Sequence, residues 1–330
     1  MINLINKLPG PLLIFFGAFS LSFGGIIVKS FEGANLWQIL FWRSIFFILV
    51  VSIFLISTYK KNLFNAFLNS GIPGLVGGLI LSTGFCGYVF AMYNTTVANT
   101  NFIIQTQTIF LAIFGYFFLK EKISKLTLIS IILAISGIIL MVGSSLSPGQ
   151  TIGNIAAFIM PLSFAILILI IRKYPNVDMV PIQLIAGIIA MIIGYLVAGK
   201  ILVSVYDIYL GFLAGFFQLG FGFILITIGA RRTPSALVGI IMLTEAVLGP
   251  FWAWLFINEQ PPLTVLIGGS VVIIAFLLQF LTLLKKNKPS IQSKKAIILL
   301  NLCYKSFTGE TTLMWRRRSN HPGNSQAKGP

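Results

Sequence analysis

The sequence predicts an all-α polytopic membrane protein, with ten transmembrane helices arranged as two inverted five-helix repeats. Three observations carry that prediction. First, 57% of the residues are hydrophobic and 9% charged, with a mean hydropathy of +0.97. A soluble domain carries about 25% charged residues, so there is too little polar surface here to cover a water-soluble globule. Second, apolar runs of about 17 to 23 residues recur along the chain, the length a helix needs to cross ~30 Å of hydrocarbon. They lack the apolar–polar alternation of barrel strands. Third, one half of the chain echoes the other.

The ten runs fall at 11–29, 36–58, 72–94, 97–119, 126–143, 152–172, 179–199, 207–229, 234–256 and 263–284. The first has Lys7 ahead of it and Lys29 behind it. It has no clear small-residue cleavage site and nine runs come after it, so it reads as a span and not as a signal peptide. Orientation follows from the basic residues of the short loops. With the N-terminus in the cytoplasm, the inner segments hold Lys7, Lys60, Lys61, Lys120, Lys122, Lys125, Arg172, Lys173, Arg231, Arg232 and the basic tail, whereas the outer loops hold only Lys29 and Lys200. Both termini are therefore expected in the cytoplasm, and the membrane is the plasma (cell inner) membrane.

The internal echo appears at a shift of 138 positions. Gly77 then meets Gly215, Gly84 meets Gly222, Thr95 meets Thr233, Ala98 meets Ala236, Thr106 meets Thr244, Gln107 meets Glu245 and Glu121 meets Glu259. Residues 1–145 form the first repeat and 146–284 the second. An odd number of spans per repeat inverts the second copy in the membrane. Inverted repeats with a midplane site are characteristic of alternating-access transporters.

Charge inside the spans marks the candidate site. Glu245 is the only acid and Arg43 the only base well inside the hydrocarbon. Each costs roughly 2.5–3.5 kcal/mol on insertion scales, so each should face a bundle interior or a wet cavity. Two readings of Glu245 stay open. It titrates or binds a cationic group during transport, or it pairs with Arg43 or bonds Ser/Thr hydroxyls and fixes helix packing. The fourth span is unusually polar, "NTTVANTNFIIQTQT". Asn101, Gln105 and Thr108 share one helix face by their spacing, and Gln107 lies on a neighbouring face. These amides and hydroxyls read as a polar wall of a substrate cavity, or as interhelical hydrogen bonds. Gln218 in the eighth span and Gln38 near the start of the second are weaker candidates. Trp252 and Trp42 could line the cavity, while Trp37 and Trp254 read as interfacial anchors. Glu121 and Glu259 sit at span ends, in gating or structural positions. Glycines in the third and eighth spans permit close helix approach.

The run "LITIGARRTPSALVGIIMLTEAVLGPFWAWLFINEQPP", with "VFAMYNTTVANTNFIIQTQTIFLAIFGYFFLKEKIS" as its first-half counterpart, resembles the drug/metabolite transporter superfamily in its ten-span form with two EamA-like repeats. "ILFWRSIFF", with Arg43, is similar to the family's second span, and "GNIAAFIMPLSFAILILIIRKY" to its sixth. The resemblance covers about residues 11–284. It departs in the ninth span, where Glu245 is followed by Ala246 with Pro250 displaced, and in the first, where "SLSFGGIIVK" lacks a Trp-Gly pair. The resemblance implies an exporter or importer of small metabolites that lies in the bilayer and works without ATP; a secondary-active carrier of a small organic metabolite, with export as the direction, is the expectation.

The residue inventory weighs against other classes. No P-loop is present. The single histidine, His321, lies in the tail, and the two cysteines, Cys86 and Cys303, sit in a span and in the tail. No metal or cofactor site is expected, and an intramembrane enzyme would need paired acids or a histidine cluster. A channel would want polar groups through the whole thickness. The net charge of +16 does not point to nucleic acid, because ten of the basic residues fall after position 284 in a tail that reads as disordered. Protons remain a candidate coupling ion, and a proton-independent exchanger or facilitator is the alternative.

Overall fold

The structure is a computed structural model of the chain. It describes residues 8–95, 97–142, 151–257 and 263–286. Glu259 and the chain beyond Lys286 lie outside the described residues. Among the described residues every regular element is helical. In chain order these are α1 (Gly10–Leu21), α2 (Gly24–Lys29), α3 (Leu36–Tyr59), α4 (Leu63–Asn94), α5 (Val97–Gln105), α6 (Gln107–Leu119), α7 (Lys125–Val142), α8 (Thr151–Ala157), α9 (Ile159–Lys173), α10 (Val180–Ala198), α11 (Val205–Phe212), a π-helical segment (Leu213–Phe221), α12 (Gly222–Ala230), α13 (Ser235–Ile257) and α14 (Leu263–Lys286). Among the described residues, six helical stretches are long and apolar enough to cross a membrane: Gly10–Lys29, Leu36–Asn94, Ile152–Lys173, Val180–Ala198, Val205–Ala230 and Ser235–Phe256. Shorter apolar helices run over Ile103–Leu119, Lys125–Gly137 and Leu266–Ala275.

Several of these helices are interrupted, for identifiable reasons. The 59-residue stretch Leu36–Asn94 breaks after Tyr59, where Lys60 takes a positive φ of 48°. It bends again at Gly71, whose φ of 53° and ψ of −153° are non-helical. Pro73 lies two residues on, and a proline ring cannot continue the preceding helix without loss of a hydrogen bond. Glycine tolerates the positive φ that the bend requires. The fourth apolar run breaks at Thr106. Its amide and its hydroxyl both donate to the Ile103 carbonyl, at 3.0 and 2.7 Å, so the turn tightens and the ladder is locally replaced. The eighth run relaxes into π-helix over nine residues, a rare geometry that concentrates at functional sites.

The helices pack into one compact unit that extends to Gln279. α3 lies against α10 and the π segment, α4 against α8, α9 and α10, and α12 against α1. α6 and α13 pack together, α6 also meets α9, and α13 also meets α1. Ala134 of α7 and Val272 and Ala275 of α14 share a buried cluster with Leu243 of α13. The centre holds a run of edge-to-face rings: Phe47 on Phe85 at 5.2 Å, Phe85 on Phe223 at 5.4 Å and Phe223 on Phe164 at 6.1 Å between centroids. Such pairs add packing energy beyond area burial.

The connections gather at two ends. At one end Arg172 donates to Glu121 and to the Arg231 carbonyl, while Arg231 lies 3.8 Å from Asp178. Tyr59 donates to the Asp178 carboxylate at the same end. At the other end Lys29 donates to the Thr95 carbonyl at 3.0 Å. The Glu32 amide donates to Asp207 at 3.1 Å, and Gln38 donates to the carbonyls of Lys200 and Leu202 at 2.9 and 3.2 Å. Gln38 is also part of the capping box that starts α3 with Asn35, so its side chain is spent on a helix end. Trp42 is likewise fixed by its donation to the Ile201 carbonyl at 2.9 Å.

Candidate functional site

One small cavity lies at the centre of the helices. Its walls are Leu21 of α1, Arg43 of α3, Phe85 and Tyr88 of α4, Ile104 of α5, Gln107 of α6, Met160 and Phe164 of α9, Gln218 and Leu219 of the π segment, Phe223 of α12, and Met242 and Glu245 of α13. The free volume is about 20 Å³, enough for a water molecule or two and no more. The cavity is therefore contracted around its polar groups.

Four of the side chains expected from the sequence meet here: Arg43, Gln107, Gln218 and Glu245. Arg43 is fully enclosed. Its Nη2 donates to the Phe85 carbonyl at 3.3 Å. The guanidinium lies 5.2 Å from the Tyr88 ring centroid and 5.7 Å from that of Phe85, within cation–π range. Its Nε and Nη1 have no hydrogen-bond partner. Glu245 is buried on the facing helix. The ion pairs among the described residues are Glu121–Arg172 and Asp178–Arg231, so Glu245 and Arg43 share a cavity without forming a salt bridge. The sequence left a strut between these two charges open, and this arrangement does not make one.

Gln218 reaches the cavity from the π segment. Its amide nitrogen donates to the Leu21 carbonyl at 3.3 Å, while its Oε1 is unpartnered. Gly24 is what lets α2 approach this point. A Cβ there would collide with the Tyr88 hydroxyl and the Gln218 amide. Gln107 enters because the chain breaks at Thr106, and its amide donates to Gln105 Oε1 at 3.4 Å.

The other polar residues of the fourth run lie elsewhere. Thr108 donates to the Gly239 carbonyl of α13 at 3.1 Å. A Cβ at Gly239 would stand 2.9 Å from Thr108 Cα, so the two helices cross there nearly backbone to backbone. Asn101 packs toward Gly249 of α13, whose added Cβ would lie 2.5 Å from its amide nitrogen. Gln105 is buried behind Gln107. These three residues stand at the α13 contact and beside the cavity, not on its wall. Trp252 stacks on Phe23 at 4.7 Å and donates to the Ser22 hydroxyl at 2.9 Å, which ties α13 to the break between α1 and α2. Glu121 accepts from Arg172 at 2.5 and 2.9 Å and from the Ser235 amide at 2.8 Å. It thus holds the ends of three helices together and caps the start of α13.

One residue of the cavity wall, Tyr88, and one behind it, Gln183, carry no obvious mark in the sequence. Tyr88 presents an unpartnered buried hydroxyl beside Arg43. The signal available was a tyrosine one turn after Phe85 on a glycine-rich span. Gln183 of α10 donates to the Phe223 carbonyl at 2.8 Å and to the Thr227 hydroxyl at 2.5 Å. Like Arg43, which donates to the Phe85 carbonyl, it reaches from its helix to the carbonyl of a phenylalanine, although the 138-residue shift carries Arg43 to Pro181.

Similarity to known proteins agrees with this architecture. Residues 8–143 and 149–281 each match the EamA-like transporter family. A protein of Clostridium kluyveri described as an uncharacterized transporter is 25% identical over 230 residues, which span 66% of this chain and 74% of its own length. One protein of known crystal structure superposes with a TM-score of 0.65 at 15% identity, over 84% of this chain and 99% of its own, and so shares the fold. With two successive matches that cover most of its length, the chain belongs to the EamA-like transporter family and is a membrane transporter of the drug/metabolite transporter type.

Proposed function

We propose that the protein is a ten-span secondary-active transporter, built from two inverted five-span repeats, that moves a small organic solute across the plasma membrane by alternating access. The central cavity is its solute site, and both termini face the cytoplasm. Export is the direction the family resemblance suggests. Taking Leu36–Asn94 as two crossings joined through residues 60–71, and adding the shorter helices Ile103–Leu119, Lys125–Gly137 and Leu266–Ala275, supports a count of ten.

The observation that carries this reading is the packing scheme. Numbering crossings in chain order, adding five to each converts one observed contact into another. α4 on α9 becomes α12 on α1, α4 on α10 becomes the π segment on α3, and α6 on α9 becomes α13 on α1. α3 on α10 and α6 on α13 map onto themselves. Glycines matched by the 138-residue shift meet neighbours on helices five crossings apart: Gly84 faces Met160 and Ser163 of α9, and Gly222 faces Gly17 and Leu21 of α1. Two exchangeable halves around one closed cavity are what a rocking carrier requires.

The basic end, closed by Glu121, Arg172, Arg231 and Asp178, is assigned to the cytoplasm by its lysines and arginines. Glu245, buried and outside any ion pair, is the group we assign to coupling. A proton-independent exchanger or facilitator of the same solute class is the alternative. Reconstitution into proteoliposomes tests the proposal. Saturable solute flux is expected, driven by an imposed pH gradient and uncoupled from it by Glu245→Gln. Unsaturable ion conductance would sink the carrier reading, and saturable flux indifferent to pH and to Glu245→Gln would leave the facilitator.

A further inference from the structure

We propose that the basic end of the molecule carries a binding site for an anionic phospholipid, whose phosphate is held by Arg231 in a cleft bordered by a short helix at the membrane surface. The site is separate from the central cavity and rests only on the chain lying in a bilayer.

The short helix is the start of α4. Residues 63–70 are helical but set apart at both ends. Lys60 ahead of them has a φ of 48°, and Gly71 behind them is non-helical. Lys60 and Lys61 mark the end of the preceding span, and such residues sit at the membrane–water interface. Phe64 and Leu68, one turn apart, are 72% and 62% exposed, and Ile72 just past the break is 78% exposed. Ala66 and Ser70, on the opposite side of the same two turns, are buried. One face of this helix is therefore apolar and turned away from the protein, with the lysine pair beside it. That is the pattern of a helix lying in the interface with its apolar face among acyl chains.

The helix, the end of α3, the loop between α9 and α10 and the end of α12 enclose a cleft of about 510 Å³. Thr58, Tyr59, Asn69, Asn176, Asp178 and Arg231 supply its polar lining. Phe54 and Ile228, one turn before Thr58 and Arg231 in sequence, supply an apolar base. Polar groups thus stand at the level of the span ends and hydrocarbon stands one turn deeper. A lipid presents its phosphate and its chains in that order.

The charges fit an anion. Asp178 already accepts from the Tyr59 hydroxyl and from the Val180 amide. Arg231 Nη1 lies 3.8 Å from Asp178, beyond hydrogen-bond range. The Arg231 Nε donates to the Pro175 carbonyl at 3.1 Å, which orients the guanidinium and leaves its Nη edge beside the cleft. A phosphate accepts two parallel bonds from such an edge. Lys60 and Lys61 are exposed and follow Tyr59 directly, so three cations stand against one carboxylate. That excess favours an anionic lipid over a zwitterionic one. A free phosphate would engage Arg231 but make no use of the apolar base. The lining comes from both family units, Tyr59 and Asn69 from the first and Asp178 and Arg231 from the second. A bound lipid therefore ties the two units together at this end and should raise the melting temperature.

Purified full-length protein in neutral detergent is titrated with dioleoylphosphatidylglycerol, with dioleoylphosphatidylcholine, and with glycerol 3-phosphate as the soluble headgroup alone. Binding is read by thermal shift and by native mass spectrometry, which counts retained lipids. Phosphatidylglycerol is expected to bind saturably and more tightly than phosphatidylcholine. Arg231→Gln should weaken its binding about fivefold, the scale of one basic group at an anionic surface, and Lys60→Gln combined with Lys61→Gln should weaken it at least as much. Lys125→Gln removes the same charge at the same end but outside the cleft, and should leave binding as it is. Each variant is compared with itself with and without lipid, so a change in its starting stability does not mask the result. The proposal is overturned if phosphatidylcholine binds as tightly, if glycerol 3-phosphate protects as well as the lipid, or if Lys125→Gln weakens binding as much as Arg231→Gln. The second outcome would make the cleft a soluble-phosphate site, and the third would reduce the effect to general surface attraction.

Discussion

Arg43 in the first family unit and Gln183 in the second do the same thing to different ends. Each reaches from its helix to the carbonyl of a phenylalanine: Arg43 to Phe85 at 3.3 Å, Gln183 to Phe223 at 2.8 Å. The two phenylalanines are matched by the 138-residue shift and touch edge to face at 5.4 Å. Gln183 takes the Thr227 hydroxyl as a second acceptor, its Oε1 stays without a partner, and it has no place on the cavity wall. Arg43 has no such second partner and faces the cavity. On the opposite wall the roles reverse. The first unit offers the amide Gln107 where the second offers Glu245, and both line the cavity. A shared scaffold thus carries an unshared chemistry, one charge from each unit. Helix packing tolerates the duplication, but two arginines or two glutamates in one small cavity would repel, so the charges have to be divided between the units.

The largest expected effect separates the units by packing. Gly77 and Gly215 are matched by the same shift, but their surroundings differ. A Cβ at Gly215 would run into the Arg43 carbonyl and stand 2.8 Å from the Phe47 amide nitrogen, both rigid backbone. A Cβ at Gly77 would meet only ends of Ile182 and Ile170 side chains, at 3.0 and 3.4 Å. Gly215→Ala should therefore cost about 1–3 kcal/mol through overpacking. Gly77→Ala should be close to neutral, because side-chain ends yield and alanine gains about 1 kcal/mol of helix propensity. Melting curves of the two variants in the same detergent check this. Equal losses would mean that the two helix crossings are equivalent after all.

A smaller effect belongs to the basic end. Glu121 receives two bonds from Arg172 and one from the Ser235 amide. Both side chains of the ion pair are partly exposed, 21% and 14%, so solvent screens part of the attraction. Glu121→Gln is expected to lower stability by about 1 kcal/mol and to speed hydrogen exchange at Ser235 and the first turn of α13. Unchanged exchange there would show that Glu121 does not hold the start of α13.

Much of this was legible in the sequence because hydrocarbon makes polarity conspicuous. Arg43, Gln107, Gln218 and Glu245 stood out as costly residues in apolar runs, and all four line the cavity. Membership in a two-unit transporter family was readable from motifs that the chain carries twice. Geometry that a helical wheel cannot express was not readable. Asn101, Gln105 and Thr108 share a face only on an unbroken helix. The hydrogen bonds from Thr106 to Ile103 end α5 and rotate the start of α6, so Gln107 reaches the cavity and Thr108 reaches α13. Tyr88 was hidden for a different reason. Aromatic residues are common in spans, and only the position of Arg43 beneath its ring separates it from the others. Trp252 looked like a candidate for the cavity wall, but its ring faces Phe23, a contact between runs far apart in sequence.

The smallest expected effect is also the one that most sharpens the comparison of units. Gln183→Leu removes two hydrogen bonds, to the Phe223 carbonyl and the Thr227 hydroxyl. Within membrane helices such bonds average about 0.6 kcal/mol each, so the loss of stability should be about 1 kcal/mol. Because Gln183 does not line the cavity, the KM of solute flux in proteoliposomes should stay as it is. Arg43→Leu, which removes a charge from the cavity wall, should instead shift that KM. A Gln183→Leu variant that melted like the unaltered protein but changed that KM would place Gln183 at the solute and undo the division of one charge per unit. A variant that lost stability alone would leave Gln183 where its two bonds put it, as the brace that lets the second unit keep the backbone arrangement of the first without its charge.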